Sequence, residues 1–190
     1  MIDTGVFDKT FEKENFSGKV LTERNYDNCT FIECNFLKAE FSNITFVDCR
    51  FVACDISLSK LFNTGMKTVS FDACKMIGLT FSDCSDFLFA CDFKDCQMDM
   101  CSFIEMPLKS SSFKGTSLRE VDFSDADLSK VVFSSCNLDR AIFQNTRLEK
   151  TDFRTALNYA IDPELNKMSG ARFSTDGLVG LLTKYKIKID

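Results

Sequence analysis

Large apolar residues recur at every fifth position between Phe11 and Phe153. Residues 29–57 read "CTFIECNFLKAEFSNITFVDCRFVACDIS", with Phe at 31, 36, 41, 46 and 51 and Ile at 56. An α-helix needs apolar residues at mixed steps of three and four, and a strand needs them at steps of two. A strict period of five fits neither. It predicts a solenoid in which each five-residue unit forms one side of a coil, with two residues pointing inward.

A second column of small residues accompanies the large ones. If the large apolar position is called i, position i−2 holds Cys, Ala, Ser, Thr or Val at most units and accounts for all 10 cysteines. The step from Phe81 to the next large residue, Leu88, is seven, and so is the step from Cys84 to Cys91. Both columns therefore predict two additional residues, and hence a register shift, within 82–87.

The five-residue units resemble those of the pentapeptide-repeat family. "ADLSK", "CDFKD", "CNLDR" and "VDFSD" match its pattern of a small residue, a polar residue, Leu or Phe, and two more. The resemblance implies an all-β solenoid, a right-handed quadrilateral β-helix of about seven coils ~4.8 Å apart, or a rod of ~34 Å. We expect an N-terminal lead-in over 1–10, the β-helix over 11–156 and a C-terminal cap and dimerisation helix over 157–190.

In such a coil, residues 20 apart stack on one another and form the core. The columns of this kind that we single out are Cys34, Cys54 and Cys74, and Phe31, Phe51 and Phe71. Cys is a small, soft hydrophobe that fits the cramped i−2 position. A structural zinc site needs thiolates that converge from different directions, often at spacings of two to four, so we expect no metal site. Oxidation of a stacked pair stays open, because a Cα separation of ~4.8 Å lies in the disulfide range.

The composition argues against several functions. The chain has no His, so the commonest metal ligand and general base is missing, and we find neither a Gly-rich phosphate loop nor a nucleophile–base pair. We therefore predict no enzyme, no catalytic residue and no cofactor. The net charge of −5 argues against direct binding of nucleic acid. The start resembles no signal peptide and no apolar run reaches membrane-spanning length, so we expect a cytoplasmic protein with reduced thiols.

The outward residues on one side of the predicted coil carry most of the negative charge. Sorting the chain by 20 places six acids and the single base Lys60 on that side, and leaves the other sides near balance. The six acids are Glu23, Glu40, Asp83, Glu105, Asp122 and Asp125. This acidic side is the candidate partner-binding surface, although a mixed solvated surface is the plain alternative.

The C-terminal tail predicts a short helix with one apolar face. Leu178, Leu181, Leu182 and Tyr185 follow helical spacing, although Gly177 and Gly180 disfavour a helix. The helix either caps the last coil of its own chain or joins two chains.

This tail, "NYAIDP…ARFS…LLTKYKIKI", resembles the C-terminal end of Qnr-type quinolone-resistance proteins. The resemblance implies a homodimer joined end to end by the tail. It also implies a DNA mimic that binds DNA gyrase or topoisomerase IV and modulates quinolone sensitivity. The long projecting loops of some Qnr-type members are missing.

The alternative function is a pentapeptide-repeat scaffold that binds an unrelated protein partner. Its candidate surface is a set of apolar residues at outward positions just after i, near the N-terminus. These residues are Ile32, Leu37, Val47, Val52, Phe62 and Ile77. A contiguous apolar stripe of this kind is typical of a protein–protein interface.

Overall fold

The computed structural model describes residues 5–188, which form a parallel β-solenoid. Residues 20 apart in the sequence lie opposite each other on neighbouring coils, as Phe31 lies opposite Phe51 and Tyr26 opposite Phe46. The backbone N–H groups of one coil donate to carbonyl groups of the next, so each coil satisfies the polar backbone of its neighbour. The period of five in the sequence thus becomes four sides per coil.

The strands are two to four residues long and belong to two parallel sheets. One sheet has the order β1-β3-β5-β7: Gly5–Phe7, Asn25–Asp27, Thr45–Val47 and Gly65–Lys67. The other has the order β2-β4-β6-β8-β9-β10-β11: Thr10–Glu12, Thr30–Ile32, Arg50–Val52, Val69–Asp72, Cys91–Lys94, Ser112–Lys114 and Phe133–Ser134. Single-residue parallel bridges such as Asn35 to Asp55 and Glu40 to Lys60 join the coils elsewhere. The seven strands of the larger sheet are close to the expected number of coils, and single-residue bridges from Val132 through Asp152 to Arg172 add two further levels at the C-terminal end.

We number the four sides in chain order and name each by its inward residues. Side 1 has Val6, Tyr26, Phe46, Met66, Phe89, Leu108, Leu128, Leu148 and Met168. Side 2 has Phe11, Phe31, Phe51, Phe71, Phe93, Phe113, Phe133, Phe153 and Phe173. Side 3 has Phe16, Phe36, Ile56, Met76, Met98, Leu118 and Leu138. Side 4 has Leu21, Phe41, Leu61, Phe81, Phe103, Phe123 and Phe143.

Side 2 contains an uninterrupted stack of Phe rings from Phe11 to Phe173. Adjacent ring centroids are 4.6 to 5.3 Å apart, with nearly parallel planes. The stack extends past residue 156, where the repeat was expected to end, because Arg172 bridges to Asp152 and places Phe173 on Phe153. At the other end, the first strand already begins at Gly5, within the expected lead-in.

The small i−2 residues are buried and most of their polar side chains donate hydrogen bonds. Cys54 Sγ donates to the carbonyl O of Phe31 at 3.4 Å, and Cys74 Sγ donates to that of Phe51 at the same distance. Thr64 Oγ1 makes the equivalent bond to the carbonyl O of Phe41 at 2.9 Å. The position therefore favours a small side chain with a donor, whereas sequence reasoning considered size alone. Cys34 is also buried, at the start of the same column.

Most corners of the coil have a residue with positive φ, two positions after the inward one. Glu33, Lys38 and Lys130 adopt φ values of 52°, 57° and 68° there. Many other non-glycine residues share this conformation, which ordinarily costs about 1–2 kcal/mol per residue. The ladder between coils compensates for this repeated strain.

The register shift is absorbed within side 1, in the loop Ser85–Leu88. Leu88, expected to point inward, is 64% exposed, and that expectation is wrong. Phe89 occupies the inward position instead and is 3% exposed. Three residues are added before the inward position and one is lost after it, which gives the net shift of two. The Phe stack on side 2 is preserved, because Phe71 still lies opposite Phe93.

We expect truncation within the Phe stack to destabilise the fold strongly. Phe113 is 1% exposed and stacks on Phe93 and Phe133, so Phe113→Ala should lower the free energy of unfolding by about 3–5 kcal/mol. The matched control is Phe62→Ala, at a position that is 65% exposed, which should change it by less than about 0.5 kcal/mol. Urea denaturation followed by circular dichroism measures both. Equal effects of the two substitutions would contradict the role of the stack.

Candidate partner-binding surface

The six predicted acids all lie on side 4, in two columns that run along the rod. Glu40 and Asp122 precede inward residues, and their column is joined by parallel bridges. The second column, at the following corner, reads Glu23, Asn43, Asn63, Asp83, Glu105, Asp125 and Asn145. Levels of the rod are one strand spacing apart, ~4.8 Å. The acids are thus brought to one side, but they do not form one continuous row.

Two of the acids are engaged within the protein. Glu40 accepts a hydrogen bond from the Ser42 hydroxyl and pairs with Lys60 Nζ at 2.9 Å, and these two partners hold its pKa below the ordinary value. Asp122 Oδ1 accepts the backbone N–H of Ser124 at 2.9 Å, which stabilises the local turn. Their charges contribute less to a partner surface than the sequence suggested.

The remaining acids are concentrated in the second half of the corner column. Asp83, Glu105 and Asp125 lie on three successive levels, are exposed, and form no ion pair within residues 5–188. Glu23 lies three levels before Asp83 and helps burial to raise the pKa of Tyr26 to about 12. The site therefore reduces to a short column of three unpaired carboxylates, with Glu23 separate from it.

Sequence reasoning missed an apolar area next to this column. Leu58 and Met100 occupy the corner between sides 3 and 4 and are 50% and 57% exposed. Gly78 lies between them, and a Cβ there would approach Leu58 at 3.0 Å. Phe62 and Ile104 of side 4 are also exposed. Only Phe62 belonged to the predicted stripe; the other five residues of that stripe are partly buried.

The tail lies on the last coil of its own chain. It forms two 3₁₀ segments, Asp176–Leu181 and Thr183–Tyr185, in place of an α-helix. The backbone N–H of Ile161 donates to the Gly180 carbonyl O at 3.0 Å. Both glycines of the tail press against Tyr159, where a Cβ would clash with its ring hydroxyl or its carbonyl. Their role is close approach to the coil.

Ion pairs fasten the end of the tail. Lys184 Nζ lies 2.8 Å from Asp162 Oδ1 and 2.7 Å from Glu164 Oε2. These two carboxylates raise the pKa of Lys184, and Lys184 in turn lowers the pKa of Asp162. The hydroxyl of Tyr185 reaches Glu164 at 3.3 Å.

Because the tail docks on its own chain, two of the four predicted dimerisation residues lie at least partly buried and the other two are exposed. Leu181 packs against the core of its own chain and Leu182 is partly buried. Leu178 and Tyr185 face outward and are 46% and 54% exposed. Three neighbouring apolar side chains, those of Val179, Ile187 and Leu165, are exposed as well. The end of the rod thus has an apolar outer surface.

The cysteines lie in the core as free thiols. All ten are buried, and no three or more Cys, Asp or Glu residues of the described chain are grouped so that they could hold a metal ion. Burial raises the pKa of Cys49 and of Cys101 to about 12. A nucleophilic or metal-binding Cys needs access, which burial denies to all ten, so these thiols fill the core.

The repeat defines the class of protein to which this solenoid belongs. Residues 24–89 and 87–160 match the family described as "Pentapeptide repeat region". The chain therefore belongs to the pentapeptide-repeat family. A comparison with curated protein sequences gives no match.

Three solved structures match this chain at low sequence identity, and the two of QnrB1 show the same fold. A trypsin-treated variant of QnrB1, a plasmid-mediated fluoroquinolone resistance protein, is 14% identical with a TM-score of 0.63, over 98% of this chain and 97% of that one. Full-length QnrB1 is 14% identical with a TM-score of 0.53, over 96% of this chain and 100% of that one. HetL, a pentapeptide repeat protein involved in heterocyst differentiation regulation from the cyanobacterium Nostoc sp. strain PCC 7120, is 14% identical, over 92% and 88%, with a TM-score of 0.48. Within residues 5–188, no helix has the length and apolar character needed to cross a membrane.

The buried thiols predict a loss of stability in alkali. The folded-state pKa of Cys49 and Cys101 lies above the ordinary value of 9.0, so the unfolded chain loses these thiol protons first. Their contribution to the free energy of unfolding is therefore complete below about pH 9 and is lost as pH rises towards 12. At about pH 10 each thiol should lower the free energy of unfolding by about 1.4 kcal/mol relative to pH 7.5. The control replaces both by Ser, which occupies the same position at Ser59. If the urea midpoint of this variant falls as steeply with pH as that of the parent, the prediction is wrong.

Proposed function

We propose that this protein is a non-enzymatic binding protein that imitates DNA, binds DNA gyrase or topoisomerase IV, and modulates quinolone sensitivity. The observation that supports this most directly is the column Asp83, Glu105 and Asp125, which presents one unpaired carboxylate per level. A spacing of ~4.8 Å compares with ~3.4 Å per phosphate charge along one DNA strand. The column therefore imitates a short stretch of one strand.

The fold adds a second line of support. QnrB1, which shares the fold, is described as a fluoroquinolone resistance protein, and its chain is covered almost completely. The ten free cysteines fit the reducing cytoplasm, where type II topoisomerases work. The net charge of −5 disfavours direct binding of nucleic acid, so we propose a protein partner.

Charge reversal along the column should abolish topoisomerase binding. The variant combines Asp83→Lys, Glu105→Lys and Asp125→Lys, and the two latter positions have the positive φ that Lys38 and Lys130 adopt elsewhere. We expect salt-sensitive inhibition of gyrase supercoiling by the parent protein, and at least a tenfold weaker effect of the variant, measured with and without a quinolone.

The matched control reverses three acids on side 2, at Glu12, Glu33 and Asp95, with the same change in net charge. Control and column variants of equal potency would refute a specific role of the column. No effect of the parent protein on several gyrases and topoisomerases would refute the topoisomerase as partner.

The second candidate function is a scaffold for an unrelated protein partner, favoured by the exposed apolar area around Phe62. Leu58, Met100 and Ile104 extend this area over neighbouring levels. In the same topoisomerase assay, the Phe62→Lys variant should inhibit gyrase as strongly as the parent protein if the column is the binding surface. A partner captured from a lysate that is lost with Phe62→Lys, and retained by the column variant, would support the scaffold.

We further propose that the tail joins two rods end to end. Leu178, Val179 and Tyr185 supply an apolar outer surface while Leu181 and Lys184 fasten the tail to its own coil. Leu178→Glu should weaken this dimer at least tenfold in sedimentation velocity without lowering thermal stability, because the side chain is half exposed. Val132→Glu, at a side 2 residue that is 49% exposed and lies away from the tail, is the control. An unchanged dimer in Leu178→Glu would contradict the proposal.

A further inference from the structure

Acids and bases on side 1 lie at opposite ends of the rod, so their charges cancel when they are summed over the whole side. On its first three levels the outward positions i−1, i+1 and i+2 carry only acids, namely Asp8, Asp27 and Asp48, and the one base of these units, Arg24, lies at position i−2. Its last four levels carry more bases than acids. The bases there are Lys109, Lys130, Arg147, Lys150 and Lys167, and the acids are Asp127 and Glu149. One half of side 1 is negative and the other half is positive.

The charges of both halves are available to a partner. Asp8, Asp27 and Asp48 form no ion pair with any other residue between 5 and 188, although Asp8 accepts a hydrogen bond from Asn28. The same holds for Lys130, Lys150 and Lys167 in the positive half. The two local pairs there join Arg147 to Glu149 at 3.1 Å and Lys109 to Asp127 at 3.9 Å. An open groove of about 560 Å³ runs among these basic side chains.

An apolar loop marks the midpoint between the two halves. The inward residues of side 1 define nine levels, and Phe89 is the fifth of them. The loop before it exposes Phe87 and Leu88 by 65% and 64%. Lys67 Nζ lies 5.2 Å from the centroid of the Phe87 ring, which places that ring on the outer surface of side 1. The side is thus negative, apolar and positive in turn.

We propose that side 1 binds side 1 of a second copy of this chain, with the two rods antiparallel. A twofold axis at the fifth level then sets Asp27 of one copy opposite Lys150 of the other, and Asp48 opposite Lys130. Phe87 and Leu88 of both copies meet at the axis. Each contact occurs twice, as a self-complementary twofold interface requires.

The charge pattern selects the antiparallel arrangement. Parallel rods in register would place acid on acid and base on base, which is repulsive. Near the axis Lys67 faces Lys109 of the other copy, and the Asp86 carboxylates lie between them at the fifth level. This contact uses neither the acid column of side 4 nor the tail, so it stands independently of the proposed function.

A charge swap tests this interface without knowledge of any other partner. The acidic variant carries Lys130→Glu and Lys150→Glu, and the basic variant carries Asp27→Lys and Asp48→Lys. Three of these four positions have positive φ, which both Glu and Lys adopt in this protein, so the fold should tolerate them. All chains also carry Leu178→Glu, so that association through the tail does not contribute.

Sedimentation velocity then measures association at about 0.02 M and about 0.5 M salt. The parent chain should dimerise at low salt and dissociate at least tenfold more readily at high salt. Each variant alone should be monomeric, whereas an equimolar mixture of the two should form a heterodimer.

The control reverses Lys38 and Lys114, which lie on sides 3 and 2 and form no ion pair within residues 5–188, and it should dimerise like the parent. Circular dichroism confirms that each variant is folded. A monomeric parent chain at low salt, a mixture of the variants that does not associate, or variants that dimerise alone as the parent does would each overturn the proposal.

Discussion

The parallel pairing of residues 20 apart is the constraint on which the rest of the structure depends. It joins each coil to its neighbour through backbone hydrogen bonds. Strands β4 and β6, for example, pair with Phe31 opposite Phe51. Identical side chains then stack at one strand spacing, which suits flat Phe rings and small thiols equally. The same pairing gives Cys54 Sγ an acceptor on the preceding coil, so a buried polar atom is satisfied.

The pairing also explains how the chain tolerates an irregularity. Two additional residues cannot be distributed over several coils without placing inward residues outside, so they are confined to one corner of side 1. There the loop Ser85–Leu88 projects, Phe89 fills the core, and Val69 pairs with Cys91 in register again. The cost is the exposure of Phe87 and Leu88, which gives the otherwise polar side an apolar centre.

Because inward positions are uniform along the rod, individuality lies in the outward columns. Side 4 presents three unpaired carboxylates in a row, and side 1 presents opposite charges at its two ends. Sorting the sequence by 20 found the first pattern but counted Glu40 and Asp122 as equal members, since a sequence does not show that Lys60 and the backbone of Ser124 engage them. The same sorting overlooked the opposite charges at the two ends of side 1, because they cancel when summed over the whole side.

The sequence by itself determined the solenoid, the four sides, the Phe and Cys columns and the membership of the acidic side. A period of five over so many units leaves only one way to bury every large residue. The tertiary structure decided which residue follows the shift, because Leu88 and Phe89 are equally apolar and only packing against Phe81 distinguishes them. It also decided that the tail bends onto Tyr159 as 3₁₀ turns, since that depends on the shape of the last coil and on the ion pairs of Lys184. Local patterns specify repeating contacts, whereas ends and interruptions are set by the surfaces they meet.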